Sequence, residues 1–330
     1  MKDYFSTKRI LSISVGIFML FWLVGMYWSF SPATFSVKDK ISEFTQTSNL
    51  ESVTGIATTT AVIEVGNTLL NKPGGYLSND MLPPSVMLDN MPAWEFGVLE
   101  MLRDITLSLR KDFSRSQSQS VENEFLVKAQ PNLNINSTAW VLPSAESEYQ
   151  KAFDLIEAYR TDLADVSKGN SQFYARADNL RDWLKEVEKR LGSMSQKLSA
   201  SVGTEVINTN LAGDTAARQS TATPMLSENK TSWFKLDDNF YQARGMSWAL
   251  IHFLKAVEID FADVLEKKNA LISLRQIIRE LEATQETIYS PMILNGSGFG
   301  LVANHSLVMA NYISRANAAL IELSELLNQG

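Results

Sequence analysis

The chain contains no cysteine and only two histidines in 330 residues. Without thiols it can form no disulfide and carry no lipid on an N-terminal cysteine. Zinc or iron sites built from imidazole and thiolate are all but excluded. Prolines number nine and are absent from 238–290, which also holds a single glycine, Gly245. Positive charge is scarce too: the net charge is −7, and the first 30 residues carry +2, leaving −9 for the rest. Such acidity argues against phosphate-backbone binding and against a polybasic grip on anionic lipids, so nucleic acid is not expected as a partner. No HExxH, serine elbow or paired-carboxylate motif stands out, and no cofactor is expected.

What the chain does have is one uninterrupted apolar run, from Ile10 to Phe30. A helix of that length covers the roughly 30 Å hydrocarbon core of a bilayer. Its Leu, Ile, Val and Phe residues favour insertion by about 3–5 kcal/mol. Tyr27 and Trp28 suit the headgroup boundary. Lys2, Lys8 and Arg9 precede the run, whereas Lys38 and Lys40, offset by Asp39, follow it. That bias sets residues 1–9 in the cytoplasm and the bulk of the chain on the far side. A cleaved signal peptide is the competing reading. It would have a shorter core and a small-x-small cleavage site, whereas this run ends in Tyr27-Trp28-Ser29-Phe30. A retained anchor is favoured, although Ser31-Pro32-Ala33 leaves cleavage open. So short a cytoplasmic tail makes a one-component receptor an unfavourable expectation.

Beyond the membrane segment, helical periodicity dominates, and the expected fold is all-α. It comprises a transmembrane helix at 10–30 and an elongated bundle of five to seven helices. Residues 31–47 read as a polar stalk, 48–200 as a first helical unit, and 201–235 as an irregular linker or long loop. Residues 236–330 read as a second helical unit packed on the first. A helix is expected over 50–70, although its β-branched residues also suit an extended chain. Another begins near Pro92 with Asp89 or Asn90 as cap, and buries Trp94, Val98, Met101, Ile105, Leu109 and Phe113. Ser114 to Ser120 reads as a frayed end or solvated loop, and Ser144 opens a further helix. The clearest stripe runs Phe173, Ala177, Leu180, Leu184, Val187, Leu191, Met194 and Leu198, a spacing that demands a partner helix. From Asp238 to Ser290 a heptad register suggests one helix of about 78 Å, closed by Pro291. Asp260 and Lys267 interrupt the seam, so either that helix breaks around the polar patch from Asp260 to Asn269 or the domain is elongated; the second is favoured because Glu266-Lys267-Lys268-Asn269 contains no breaker. A last helix runs from Leu301 to Leu327.

The most unusual loop is Asn295-Gly296-Ser297-Gly298-Phe299-Gly300. Glycines before a helix N-terminus can admit an anionic ligand, but a tight turn between packed helices needs them for the same steric reasons. The turn is favoured. His305 lies on the apolar stripe of the last helix, with Asn304, Asn311 and Arg315 forming a polar strip beside it. The candidate contact residues are therefore Asn295, Gly296, Gly298, Gly300, Asn304, His305, Asn311 and Arg315. His252 falls off the best seam and is assigned no role.

Several strings read together carry a resemblance: Lys72-Pro73-Gly74-Gly75-Tyr76-Leu77-Ser78-Asn79-Asp80, Leu88-Asp89-Asn90-Met91-Pro92, Ser114 to Ser120, Asp263 to Leu271, and Asn295 to Ser306. They resemble a bacterial domain-of-unknown-function family, numbered 2333, of membrane-anchored proteins from gammaproteobacteria. The resemblance implies an inner-membrane protein with a periplasmic domain, and it carries over no activity, cofactor or catalytic residue.

The expected function is that of a non-enzymatic interaction or scaffold protein of the bacterial envelope. It would hold the bilayer through residues 10–30 and bind a protein partner. The alternatives are a periplasmic ligand-binding protein using loop 295–300 and the last helix, or a carboxylate-based cell-wall hydrolase.

Overall fold

The computed structural model describes residues 7–48, 50, 52–117, 119–165, 167, 169, 171–207, 226–290 and 292–329. Among them are eleven α-helices: α1 Thr7–Trp28, α2 Val37–Ser48, α3 Ile56–Asn71, α4 Asn90–Ser108, α5 Glu124–Leu133, α6 Ala145–Ala164, α7 Ala177–Ser199, α8 Leu236–Asp260, α9 Ala262–Lys267, α10 Leu271–Ala283 and α11 His305–Asn328. The all-α class is as expected. The helix number exceeds five to seven because short helices flank the long ones and one long helix is divided.

At the centre lies α8, buried on all sides from Gln242 to Leu254. A helix buried all round has no single apolar stripe, so the heptad register caught only part of its contact surface. Its main neighbour is α4, and the two backbones touch. A Cβ on Gly97 would lie 2.1 Å from the Gln242 carbonyl oxygen, and one on Gly245 would lie 2.1 Å from that of Trp94. Only glycine allows this approach. Around this pair, α3 packs on α6 and α8, α5 on α6, and α10 on α11.

The partner demanded by the α7 stripe is α11 of the same chain. The two run antiparallel: the Ser195 hydroxyl donates to the Ala310 carbonyl at 3.4 Å, and Arg181 Nη1 donates to Asn328 Oδ1 at 2.9 Å. Leu180, Leu184, Val187, Leu191, Met194 and Leu198 are all buried. Phe173 lies before the helix and joins Phe113 and Phe261 in an aromatic cluster, with centroids 5.4–5.8 Å apart.

The continuous helix expected over 238–290 is broken twice. It ends at Asp260, whose carboxylate accepts the Gly55 and Thr58 backbone N–H groups and the Thr58 hydroxyl, each at 2.7 Å. A carboxylate there satisfies orphan donors at the positive end of α3. Asn269 adopts φ 53 between α9 and α10, a left-handed conformation that asparagine tolerates. The breaker was therefore inside the polar patch. The chain then leaves the helix at Thr284, well before Pro291, which lies outside the described residues. Arg244 holds it there, donating to the carbonyls of Glu286 at 2.9 Å and Gln285 at 2.8 Å.

Residues 31–47 do not stand off as a stalk. Trp248 Nε1 donates to the Ala33 carbonyl at 3.3 Å. Phe35 stacks on His252, and α2 sets Phe44 beneath the Arg160 guanidinium, 4.0 Å from the ring centroid. Within the expected linker at 201–235, Thr204–Ile207 and Leu226–Asn229 pair as an antiparallel ribbon, β1 and β2, with Thr204 opposite Asn229. Residues 208–225 lie outside the described residues.

Candidate functional site

The glycine loop folds as a closed turn ahead of α11. Asn295 and Asn304 form an antiparallel bridge, Gly296 N–H donates to the Ala303 carbonyl at 3.0 Å, and His305 N–H to the Leu294 carbonyl at 2.8 Å. Asn304 caps the helix: its Oδ1 accepts Leu307 N–H at 2.8 Å, and its Nδ2 donates to the Gly296 carbonyl at 2.6 Å. Asn295 Oδ1 accepts the Ser306 hydroxyl at 2.6 Å, and His305 Nδ1 accepts Leu294 N–H at 3.1 Å. These side chains, singled out as ligand contacts, hold the turn itself. Gly300 N–H closes the tip on the Ser297 carbonyl at 2.9 Å, leaving Phe299 and Leu301 fully exposed.

Arg315 is not gathered with the loop. It pairs with Glu280 on α10 at 2.6 Å, and Asn311 is exposed without joining the turn. What the region does form is a cleft of about 380 Å³ between α8, α10 and α11. Phe240, Ile288, Tyr289, Met309 and Tyr312 give it apolar walls, and His305 stands at its edge. Arg244 also lines it, but burial pushes its pKa down and its donors serve backbone carbonyls. The serine tract falls elsewhere. Ser114, Ser116 and Ser120 line a cleft of about 330 Å³ with Arg115, Glu122 and Tyr174.

A second site lies where α1 meets the domain. Over most of its length α1 is exposed, and Arg9–Trp28 is long and apolar enough to cross a membrane. One face of its last two turns meets the domain, while Trp22, Leu23, Met26 and Tyr27 stay exposed. Gly25 is buried, with Leu88 and Pro84 in contact range of a Cβ there, and Trp28 covers Gly74. Phe18, Phe21, Trp22 and Met26 face Met87, Leu88 and Tyr241 across a cleft of about 460 Å³.

Beneath Trp28 the loop 72–80 is held by a buried ion pair. Lys72 Nζ bonds Glu95 Oε1 and the Gly75 carbonyl. Glu95 also accepts the N–H groups of Leu77 and Ser78, each at 2.8 Å. Both side chains are excluded from solvent. A buried charge needs this full complement of partners. The sequence drew attention to Lys72 through its string but gave no sign of Glu95, which looks like any acidic residue on an amphipathic helix.

The family model described as "Uncharacterized protein conserved in bacteria (DUF2333)" matches residues 3–330. The chain belongs to this family. No curated protein and no solved structure matches it. The strings that carried the family likeness now have places. The Lys72 to Asp80 string lies under the end of α1, Leu88 to Pro92 caps α4 beside it, and Asn295 to Ser306 is the closed turn.

Proposed function

We propose that this family member is a single-pass inner-membrane protein of the bacterial envelope. In this reading α1 is the retained anchor, the N-terminus is cytoplasmic and the helical domain is periplasmic. The domain serves as a non-catalytic interaction or scaffold module for a protein partner. The observation that carries the reading is the two-part character of α1. Most of it offers apolar side chains with no protein cover, as a bilayer-spanning helix does, while near its end Gly25 and Trp28 pack on the domain. A signal peptide destined for removal has no reason to supply Gly25 and Trp28 to a packed interface. The charge bias of Lys2, Lys8 and Arg9 supports the orientation.

Crosslinking in native membranes followed by mass spectrometry tests the scaffold role. A stoichiometric envelope protein is the expected product, and recovery of the chain alone would count against it. The cleft beside α11 favours a second reading, a ligand-binding protein for an apolar envelope molecule. In that case lipid extracts would raise the thermal midpoint of the purified protein, and Tyr312→Ala would abolish the shift.

A further inference from the structure

The large apolar side chains left exposed on the domain are unevenly placed. Most sit on four loops: Leu82 and Met87 on the segment after Asp80, Leu142 before α6, Phe234 before α8, and Phe299 with Leu301 at the tip of the glycine turn. Hydrogen bonds and ring contacts bring these loops to one end. Segment 81–88 lies against α1, and Asn79 Nδ2 donates to the Ala139 carbonyl at 3.0 Å, tying the loop before α6 to it. Phe234 immediately precedes α8, whose Tyr241 shares the cleft with Phe18 and Trp22. The glycine turn joins through His305, 6.5 Å from the ring of Phe240. The opposite end, where Asp260 meets Gly55, carries the polar loops around Ser114 and Lys267. Val121 and Ile272 are exposed there, with Ile321 two turns before the end of α11.

We propose that the anchor-proximal end of the domain is immersed in the lipid interface, with these four loops entering the bilayer around α1. This rests on α1 being the anchor, and the geometry carries it further. Met87 and Leu88 lie alongside Phe18 to Met26, and Phe18 is about 15 Å back along the helix from Trp28. With Trp28 at the headgroup level, that segment lies below it. Interfacial elements bury their apolar faces about 5–10 Å into the headgroup and acyl boundary, which matches Gly25 and Trp22, about 4.5 and 9 Å back from Trp28, while Phe18 at the far wall of the cleft lies deeper. Segments 81–88, 139–143 and 292–303 contain no charged residue, Asp80 and Asp89 bound the first, and Trp233-Phe234 lies between Lys230 and Lys235 with Asp237 and Asp238 following. The acidic domain gains nothing from anionic lipid, so the contact is apolar and works on zwitterionic membranes. One consequence is a fixed orientation. The 25 residues of α8 run away from this end, carrying Asp260 about 37 Å along the helix axis.

Because the chain has no cysteine, single labels can be placed cleanly. The full-length protein is reconstituted in phosphatidylcholine vesicles with a nitroxide at Leu82→Cys, Leu142→Cys, Phe234→Cys or Phe299→Cys. Val121→Cys and Ile272→Cys report the far end, and Leu20→Cys reports the anchor. Collision with oxygen relative to a water-soluble nickel chelate should be several-fold higher at the four loop positions than at Val121 and Ile272. Water-like ratios at the loops with a lipid-like ratio at Leu20 would overturn the immersion while leaving the anchor intact. Labels shielded from both agents would put a second copy of the chain in place of lipid and also overturn it. A water-like ratio at Leu20 would instead defeat the anchor reading beneath it.

Discussion

The ring of Phe35 lies on the imidazole of His252, 3.9 Å between centroids and 17° from parallel, and His252 Nε2 accepts the Phe35 backbone N–H at 3.1 Å. His252 Nδ1 donates to the Trp248 carbonyl at 2.8 Å. The ring is therefore neutral, and a second proton would turn its acceptor into a donor facing another donor. Burial pulls its pKa from 6.5 to about 3, only partly opposed by the Trp248 carbonyl, with Lys255 lowering it further. The fold thus favours the neutral form. The stabilisation is complete above pH 6.5 and falls by about 1.4 kcal/mol per unit as the pH drops toward 3. Denaturant midpoints between pH 7 and pH 4 should decline in the native protein and decline less steeply in His252→Gln. Buried Asp260, whose pKa is raised by burial, works in the opposite direction but is common to both proteins. Equal slopes would show that His252 is not held neutral between Phe35 and Trp248.

The Lys72–Glu95 pair fixes the loop beneath Trp28. Breaking a buried pair strands a charge, so Lys72→Met should cost about 3–5 kcal/mol in equilibrium unfolding. Glu95→Ala should cost at least as much, because the Leu77 and Ser78 N–H groups also lose their acceptor. A loss below about 1 kcal/mol for either variant would contradict the buried network.

Where α4 crosses α8 there is no room for a methyl group. Gly245→Ala should destabilise by about 3 kcal/mol, the upper end for overpacking. Gly192→Ala on α7 is the matched control, because its Cβ would meet only Asn317 Nδ2 at an ordinary 3.6 Å. There alanine should stabilise by up to about 1 kcal/mol through helix propensity. Thermal midpoints moving in opposite directions would confirm the crossing.

The glycine turn gives a further contrast. A Cβ on Gly296 would lie 2.1 Å from the Val302 carbonyl oxygen, whereas one on Gly298 would lie 3.4 Å from Leu307 Cδ1. Gly296→Ala should lower the thermal midpoint by several degrees and Gly298→Ala by much less. Arg315→Ala takes an exposed guanidinium from the buried Glu280 carboxylate, which keeps Gln276 Nε2 as a partner, and should cost about 1–3 kcal/mol. A large loss for Gly298→Ala would mean the tip has steric demands beyond those of the closed turn.

The parts of this fold readable from sequence were those with a one-sided pattern. The α7 stripe announces its helix and its need for a partner, and Asp89 before Pro92 announces the start of α4. What escaped were features whose partners are remote. Asp260 read as a polar interruption of a heptad seam, because its partners Gly55 and Thr58 are more than 200 residues earlier. His252 sits on no stripe because α8 is enclosed on every side, and the segment it holds passed for a polar stalk. The candidate site divided in the same way. Local spacing set Asn304 in one polar strip with Asn311 and Arg315, whereas Asn304 closes the glycine turn and Arg315 answers Glu280. Nothing local could show that Leu82, Leu142, Phe234 and Phe299 share one end of the molecule.

The most direct test of a retained, oriented anchor is the reactivity of Ile272→Cys toward a membrane-impermeant maleimide in intact spheroplasts, read by intact mass after alkaline washing of the membranes. Labelling before lysis, on full-length chain that stays with the washed membranes, is the predicted result. Labelling only after lysis would reverse the orientation, and a labelled chain shortened beyond residue 30 and released by the wash would make α1 a signal sequence.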